Sequence, residues 1–120
     1  DGSADVYLLL AGLTVAARHG LEMENALDYA KKTYVGVDIF KSENSELLSE
    51  LENLPVSCFE SGDLLLKQKD IYTKYDVFST SAINGAVCHL KGYKDQNLRH
   101  NIGNNIVEMM KLVDKYFYCG

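Results

Sequence analysis

The sequence predicts an all-α fold, organised as a single compact domain of about six helices over residues 1–120. Apolar side chains recur every three or four positions along most of the chain, which is the spacing of one helix face. The chain contains only one proline among 120 residues, so long helices are favoured. No segment alternates apolar and polar residues for long enough to predict a paired strand.

The first helix is predicted to begin near Ser3 or Asp5, either of which can cap exposed N–H groups, and to end at Gly20. Its apolar residues surround the helix, which predicts a central, buried position. The apolar run at residues 6–17 is shorter than the roughly 20 residues that span a bilayer. It also lacks the basic leader and cleavage site of a secretory signal.

A second amphipathic helix is predicted from Met23 to near Gly36, with Glu22 and Glu24 at its start, where the helix dipole favours acids. Residues 35–40 form a short alternating segment that we interpret as a loop. A third helix follows, capped by Ser42 and stopped by Pro55. Its apolar stripe consists of Leu47, Leu51 and Leu54.

Ser57 and Glu60 have the spacing of a capping box, although Gly62 weakens this interpretation and Ser61 is an equally good cap. The fourth helix is predicted to run through Tyr75. The residues of its inward face are Leu64, Gln68, Ile71 and Tyr75.

Ser79 introduces a predicted fifth helix that ends at Gly92. Asp95 or Asn97 is predicted to begin the last and longest helix. The inward residues of the fifth helix are Ile83, Val87 and Leu90, and the stripe of the last helix is Leu98, Ile102, Ile106, Met109, Val113 and Phe117.

The charge balance argues against nucleic-acid binding. The net charge is -5, and the only arginines are Arg18 and Arg99, so there is no basic field to hold phosphates. Three cysteines, Cys58, Cys88 and Cys119, form an odd set without close spacing. This pattern predicts reduced thiols in a cytoplasmic protein.

Residues that could support chemistry have a simpler structural interpretation. Cys88 and His89 are adjacent, so they point to different sides of a helix and do not form a metal site. His19 is placed to interact with helix carbonyls, and His100 has no nearby carboxylate or hydroxyl that would form a catalytic dyad.

The acidic row Glu43, Glu46 and Glu50 lies opposite the leucine stripe and is interpreted as a solvated face. Met109-Met110 and the cluster at residues 116–118 are interpreted as core or interface, and the aromatic tail as a possible contact with a neighbouring subunit. Neither phosphate-binding glycine motif, G-x-x-x-x-G-K-[ST] or G-x-G-x-x-G, occurs. No catalytic, cofactor-binding or metal residue is therefore assigned.

The first helix resembles the glutamine synthetase segment P-D-x-x-A-N-P-Y-L-x-x-A-x-x-x-A-G-L, although Asp5 replaces the Asn of that pattern and Val6 replaces its Pro. The matching positions are Ala4, Tyr7, Leu8, Ala11 and Leu13. The stretches at residues 16–20 and 112–116 look most like the large bacterial type III branch. Further along, residues 54–61 and then 76–79 resemble the family's proline-marked helix start and its G-V-F-x turn.

This resemblance implies the C-terminal helical region of an ATP-dependent ligase that joins ammonia to glutamate. The parent enzyme would use ATP with Mg²⁺ or Mn²⁺, and identical subunits would form a homo-oligomer. Because the family's active-site motifs do not occur here, the fragment alone is expected to be inactive. The apolar helix that follows Asp1 without an initiator Met leads us to expect the middle of a longer protein.

Some family enzymes are regulated by adenylylation of a tyrosine. The nearest counterpart here is Phe40, which has no hydroxyl to modify. The long segment at residues 21–36 also departs from the short enzymes of the family. An alternative interpretation is an independent helical interaction or regulatory module whose last helix binds a partner's groove.

Overall fold

A computed structural model describes residues 4–41 and 45–117, and these residues contain helices and no strand. The all-α prediction is therefore confirmed for the described part of the chain. The helices are α1 (Val6–Glu22), α2 (Ala26–Thr33), α3 (Ser45–Glu50), α4 (Cys58–Lys67), α5 (Lys69–Thr73), α6 (Thr80–Gly92), α7 (Leu98–Ile102) and α8 (Ile106–Tyr116), with a 3₁₀ turn at Lys74–Asp76 between α5 and α6.

The chain divides into two compact units. One unit combines Asp1–Ala16 with Pro55–Gly120, and the other is Ala17–Leu54. The assignment of residues 1–120 to one domain stays a prediction.

In the unit Ala17–Leu54, the described elements are short and their side chains are largely exposed. Residues 35–40 form neither helix nor strand, as predicted. In that loop the Phe40 N–H donates to Asp38 Oδ1 at 3.1 Å. An Asp side chain that accepts from the backbone two residues later stabilises such a turn without a regular element.

The centre of the larger unit is the contact between α4 and α6. Ile83 and Val87 are buried on α6, as the sequence predicted. Gly62 is buried on α4, and a Cβ at this position would lie 3.2 Å from Lys91 Cγ and 3.4 Å from Val87 O. The absence of a side chain at Gly62 therefore lets the two helices approach closely.

Polar and aromatic groups surround this contact. Lys91 on α6 pairs with Asp63 on α4, and its Nζ lies 5.0 Å from the centroid of the Phe59 ring. Tyr72 and Phe78 meet edge to face with ring centroids 6.1 Å apart. Such ring contacts add a modest, geometry-dependent attraction to the area that they bury.

The turn before α6 holds two residues in left-handed backbone conformations. Tyr75 has φ 67° and Asp76 has φ 55°, values that cost free energy for residues with a Cβ. Ser79 then caps α6 by accepting from the Ala82 N–H at 3.1 Å. The predicted fifth helix and its cap are thus confirmed.

Several predicted helix boundaries were wrong. α1 continues past Gly20 to Glu22, so Glu22 does not start the second helix, which begins at Ala26 after Asn25. Gly20 does not adopt the left-handed conformation with which glycine often ends a helix. The helix therefore continues to the residues just before the turn at residues 24–25. At its start, Asp5 Oδ1 accepts from the Tyr7 and Leu8 N–H groups at 3.0 Å each, which confirms Asp5 as a cap. Ser3 lies outside the described residues.

Two helices predicted as continuous are divided, so the described residues contain eight α-helices where about six helices were predicted. The fourth helix breaks at Gln68, the residue that ends α4 and precedes α5. The last helix breaks at Gly103, which has φ 49°. Backbone of this kind favours glycine and interrupts a helix, although the apolar spacing continues on both sides. The third helix is the six-residue α3, and its predicted cap, Ser42, lies outside the described residues.

The predicted central position of α1 was also wrong. Only Val15 is buried on this helix, whereas Tyr7 is 86% exposed and Leu10 and Leu13 are 56% and 59% exposed. A helix that is apolar on all sides satisfies the sequence pattern of a core helix. Within the described residues, however, too little apolar surface packs against it.

Gly62→Leu should destabilise the larger unit because the new side chain would push α4 away from α6. We expect the free energy of unfolding to fall by about 2 kcal/mol, as in an overpacked core. Gly85→Ala is the control, because Gly85 has no neighbour within 4 Å of a new Cβ and should gain about 0.5–1 kcal/mol from helix propensity. Urea denaturation of the three proteins measures both effects, and equal stabilities of the Leu variant and the parent chain would contradict the close contact.

Asp76→Gly should raise the free energy of unfolding by about 1 kcal/mol, because glycine adopts the observed φ without the steric cost of a Cβ. Asp70→Gly is the control, since Asp70 lies inside α5 and glycine there should cost about 1 kcal/mol. Thermal unfolding followed by circular dichroism should show opposite shifts for the two variants. A decrease for both would mean that Asp76 contributes contacts that outweigh its backbone strain.

Candidate functional site

At the N-terminus of α4, three side chains accept hydrogen bonds from backbone N–H groups. Ser57 is the N-cap, is buried, and its Oγ accepts from the Glu60 N–H at 3.1 Å. Glu60 Oε2 reaches back to accept from the Val56 N–H at 2.9 Å. The bond to Ser57 Oγ is the first half of a capping box and confirms Ser57 rather than Ser61 as the cap. The second half differs, because Glu60 accepts from the N–H of the residue before the cap and not from that of Ser57. Ser61 Oγ instead donates to the Ser57 carbonyl at 2.9 Å.

Asp95 supplies a second cap from a distant part of the chain. Its Oδ2 accepts from the Cys58 N–H at 2.7 Å, and its Oδ1 accepts from the Phe59 N–H at 3.0 Å. Helix N-termini expose unpaired N–H groups and a positive partial charge, so a carboxylate in this position satisfies both. The first N–H groups of α4 are therefore shared between Ser57 and Asp95.

This arrangement changes the ionisation of both partners. Burial acts to raise the pKa of Asp95, but the N–H groups of Cys58 and Phe59 outweigh it and hold the pKa below its ordinary value. Burial raises the pKa of the Cys58 thiol, and the neighbouring Asp95 carboxylate adds to that rise. Asp95 is therefore the charged partner and Cys58 the neutral one at neutral pH.

Two neighbouring cavities share Asp95 as a lining residue, and we call the pair the Asp95 groove. The first has a volume of about 360 Å³ and the second about 410 Å³. Asp95, Leu98 and Leu112 line both of them. Met109 and Arg99 are among the other residues that line the first, and Tyr116 and Lys115 are among those that line the second. Apolar side chains with a few convergent polar groups are typical of binding sites.

Aromatic contacts join α6 to this groove. His89 Nε2 lies 3.0 Å from the Tyr93 hydroxyl, and the two rings meet edge to face at 5.2 Å between centroids. Tyr93 also meets Tyr116 at 6.0 Å. His89 thus positions an aromatic wall of the groove, while Cys88 is exposed and is not brought together with it.

The remaining candidates from the sequence are not brought together. His19 lies in the last turn of α1, where its predicted interaction with helix carbonyls has the right position. His100 lies on α7, and both are exposed. Among the side chains that the structure describes, no three of His, Cys, Asp or Glu converge as a metal site requires.

The acidic row and the predicted interface residues are on the surface where they are described. Glu46 is exposed, whereas Glu43 and the side chain of Glu50 lie outside the described residues. Met109, Met110 and Phe117 are 46%, 61% and 70% exposed, which does not place them in a core. Tyr118 and Cys119 lie outside the described residues. In the part of the chain that the structure describes, no helix is long and apolar enough to cross a membrane.

The role of Asp95 is not predicted by the sequence. Asp95 is one of two residues predicted to begin the last helix, but α7 begins only at Leu98 and Asp95 caps α4 instead. A carboxylate 37 residues from Cys58 gives no local signal for this contact. The only hint in the sequence was a helix N-terminus with more N–H donors than Ser57 can satisfy.

Asp95→Ala should lower the free energy of unfolding by about 1–3 kcal/mol, because two N–H groups of α4 lose a charged acceptor. Asp114→Ala is the matched control, since Asp114 is an exposed acid on α8 and should change stability by less than about 0.5 kcal/mol. Urea denaturation at neutral pH measures both variants. Equal effects of the two substitutions would show that the Asp95 bonds contribute nothing specific.

The advantage of Asp95 over Asn at this position should depend on pH. Because the folded-state pKa is lowered, the charged carboxylate stabilises the fold above the unfolded value of about 3.9. This contribution is lost as the pH falls below that value and through the folded-state pKa. The stability difference between the parent chain and Asp95→Asn should therefore be constant from neutral pH to about pH 5 and shrink below about pH 4. A difference that grew on acidification would contradict the assignment.

The capped N-terminus of α4 and the Asp95 groove are thus the principal candidate site. Comparisons of the chain with protein-family models, curated proteins and solved structures find no match.

Proposed function

We propose that the chain is a structural and assembly-forming segment of a glutamine synthetase-like enzyme, the parent of which joins ammonia to glutamate with ATP hydrolysis. The observation that carries this proposal is the exposed apolar surface of α1, on the same residues that carry the family resemblance. The apolar composition of this surface supports a binding role. The sequence pattern of the same residues supports the family.

Much of the apolar surface of α1 is exposed among the residues that the structure describes. Tyr7, Leu8 and Leu9 are 86%, 59% and 52% exposed, and the other large apolar residues of its first half are similar. Large contiguous apolar patches in folded proteins are normally covered by another part of the protein or by a partner. We assign that cover to the remainder of the parent catalytic domain and to identical subunits.

The order of caps and turns further along the chain supports the same family. The family's proline-marked helix start corresponds to Pro55, after which Ser57 caps α4. The glycine of its G-V-F-x turn corresponds to Asp76, which has φ 55°, a conformation that glycine favours. The next helix then begins after the Ser79 cap. Left-handed backbone at the position of a family glycine is not expected from helix periodicity alone.

In this proposal the chemistry belongs to the parent enzyme. The parent would bind ATP with Mg²⁺ or Mn²⁺ and would work in the bacterial cytoplasm, in nitrogen metabolism. The sequence of this chain provides no phosphate-binding loop and no assigned catalytic residue. The chain would contribute contacts to the parent catalytic domain and to neighbouring subunits.

A second candidate is an independent helical interaction module. One observation favours it: Ile106, Met109 and Val113 on α8 are 70%, 46% and 50% exposed. They share one face of the helix, which could enter a partner's groove. In this case Met109→Glu would weaken a partner interaction while the domain remained folded, and unchanged binding would remove the motive for this candidate.

The purified chain incubated with glutamate, ammonia and Mg-ATP should form no glutamine above a protein-free blank. The coding sequence upstream of Asp1 should contain the metal-binding carboxylates of the family. A glutamine-forming chain would contradict the structural role, and a start codon immediately before Asp1 would favour the independent module.

The assembly role predicts that Leu10→Glu with Leu13→Glu in the full-length parent lowers both subunit assembly and ligase activity, because charge on α1 opposes its burial. We expect at least a tenfold loss of assembled enzyme, equivalent to about 1.4 kcal/mol. Asn84→Glu is the control, because it adds a charge at an exposed polar position of α6. Size-exclusion chromatography with an activity assay measures both, and normal assembly of the double variant would overturn this role for α1.

A further inference from the structure

We infer that the Asp95 groove binds an acidic amphipathic helix of a partner protein, with two of its apolar side chains in the two cavities. This inference depends on the groove and its charges alone, so it holds for either proposed function. It concerns partner side chains that enter this chain, whereas the interaction-module hypothesis has α8 entering a partner.

The shape of the groove fits two anchors one helical turn apart. Met109 and Leu112 line the first cavity, and Leu112 and Tyr116 line the second. Because these residues follow one another along α8, the cavities succeed each other along the helix axis with Leu112 between them. Four residues of helix rise about 6 Å. A bound helix with apolar residues at i and i+4 would therefore present one side chain to each cavity.

The apolar residues that line the two cavities favour apolar side chains on the partner helix. Leu98 and Leu112 contribute to both cavities, and Ile102 contributes to the first. Leu112 and Ile102 are only partly exposed, so the walls are held by the fold. Burying aliphatic or aromatic groups in such cavities provides the main favourable term of binding.

The charges at the groove select an acidic partner. Asp95 is the only acidic residue among the lining residues of either cavity, and its oxygens already accept from Cys58 and Phe59. Arg99 lines the first cavity, and Lys115, whose Nζ lies 5.0 Å from the centroid of the Tyr116 ring, lines the second. The groove therefore presents a cation beside each anchor position.

The surrounding sequence has the same sign. Residues 91–120 contain five Lys or Arg and three Asp or Glu, which gives +2 in a chain of net charge -5. This segment is thus a positive region of an acidic protein. Complementary charge speeds association and suppresses partners of the wrong sign, so carboxylates on the partner are favoured.

Binding of a designed peptide tests the inference. The probe is a fluorescein-labelled 12-residue helical peptide with Leu and Phe four residues apart and Glu beside each of them. The matched probe has Lys in place of every Glu. Fluorescence anisotropy with the full chain should show saturable micromolar binding of the Glu peptide and at least tenfold weaker binding of the Lys peptide.

Charge variants identify the binding site. Arg99→Glu with Lys115→Glu should reduce affinity for the Glu peptide at least tenfold and improve affinity for the Lys peptide. Arg99→Gln with Lys115→Gln removes both charges without reversing them and should give a smaller loss of affinity for the Glu peptide. This variant replaces the Glu double variant if the latter does not fold. Lys31→Glu with Lys41→Glu is the matched control, because both lysines are exposed in the other unit, and it should leave the difference between peptides unchanged. Circular dichroism checks each fold.

Three outcomes would overturn the inference. Equal affinity for the two peptides would show that charge does not select the partner. Unchanged binding by both Arg99/Lys115 pairs would place the peptide elsewhere. A dimer of the chain, detected by analytical ultracentrifugation and dissociated by the Glu peptide, would assign the groove to a second copy.

Discussion

The N-terminus of α4 depends on a carboxylate that the chain supplies 37 residues later. Asp95 bonds the N–H groups of Cys58 and Phe59, while α4 itself packs on α6. Both α6 and the segment that leads into α7 therefore contact α4. Because Asp95 also lines both cavities, the same carboxylate joins the start of α4 to the Asp95 groove.

Local capping chemistry predicted a substantial part of the fold. Asp5, Ser57 and Ser79 were recognised as caps because each needs only N–H groups two or three residues away. Ile83 and Val87 were recognised as core because α6 is uninterrupted between its cap and its end. These features depend on neighbours in the sequence, which periodicity and residue type describe well.

Features that depend on distant contacts or backbone strain were not predicted. The break at Gly103 lies inside a continuous apolar stripe, so periodicity favoured one long helix over α7 and α8. The groove needs Asp95 to bond a helix far away in sequence, and no local pattern identifies it. The predicted burial of α1 was wrong for a related reason. The apolar pattern of a helix indicates that its surface is covered, but it does not identify the segment or partner that covers it.

The ionisation state of Cys58 has a consequence for chemical labelling. Thiolates, rather than thiols, react with alkylating reagents and oxidants. Cys58 is held in the protonated form beside Asp95, and it is only partly accessible, whereas Cys88 is exposed on α6. Of these two thiols, Cys88 is the one that a maleimide reaches first. A fluorophore on Cys88 therefore labels α6 and leaves the hydrogen bonds at the start of α4 intact.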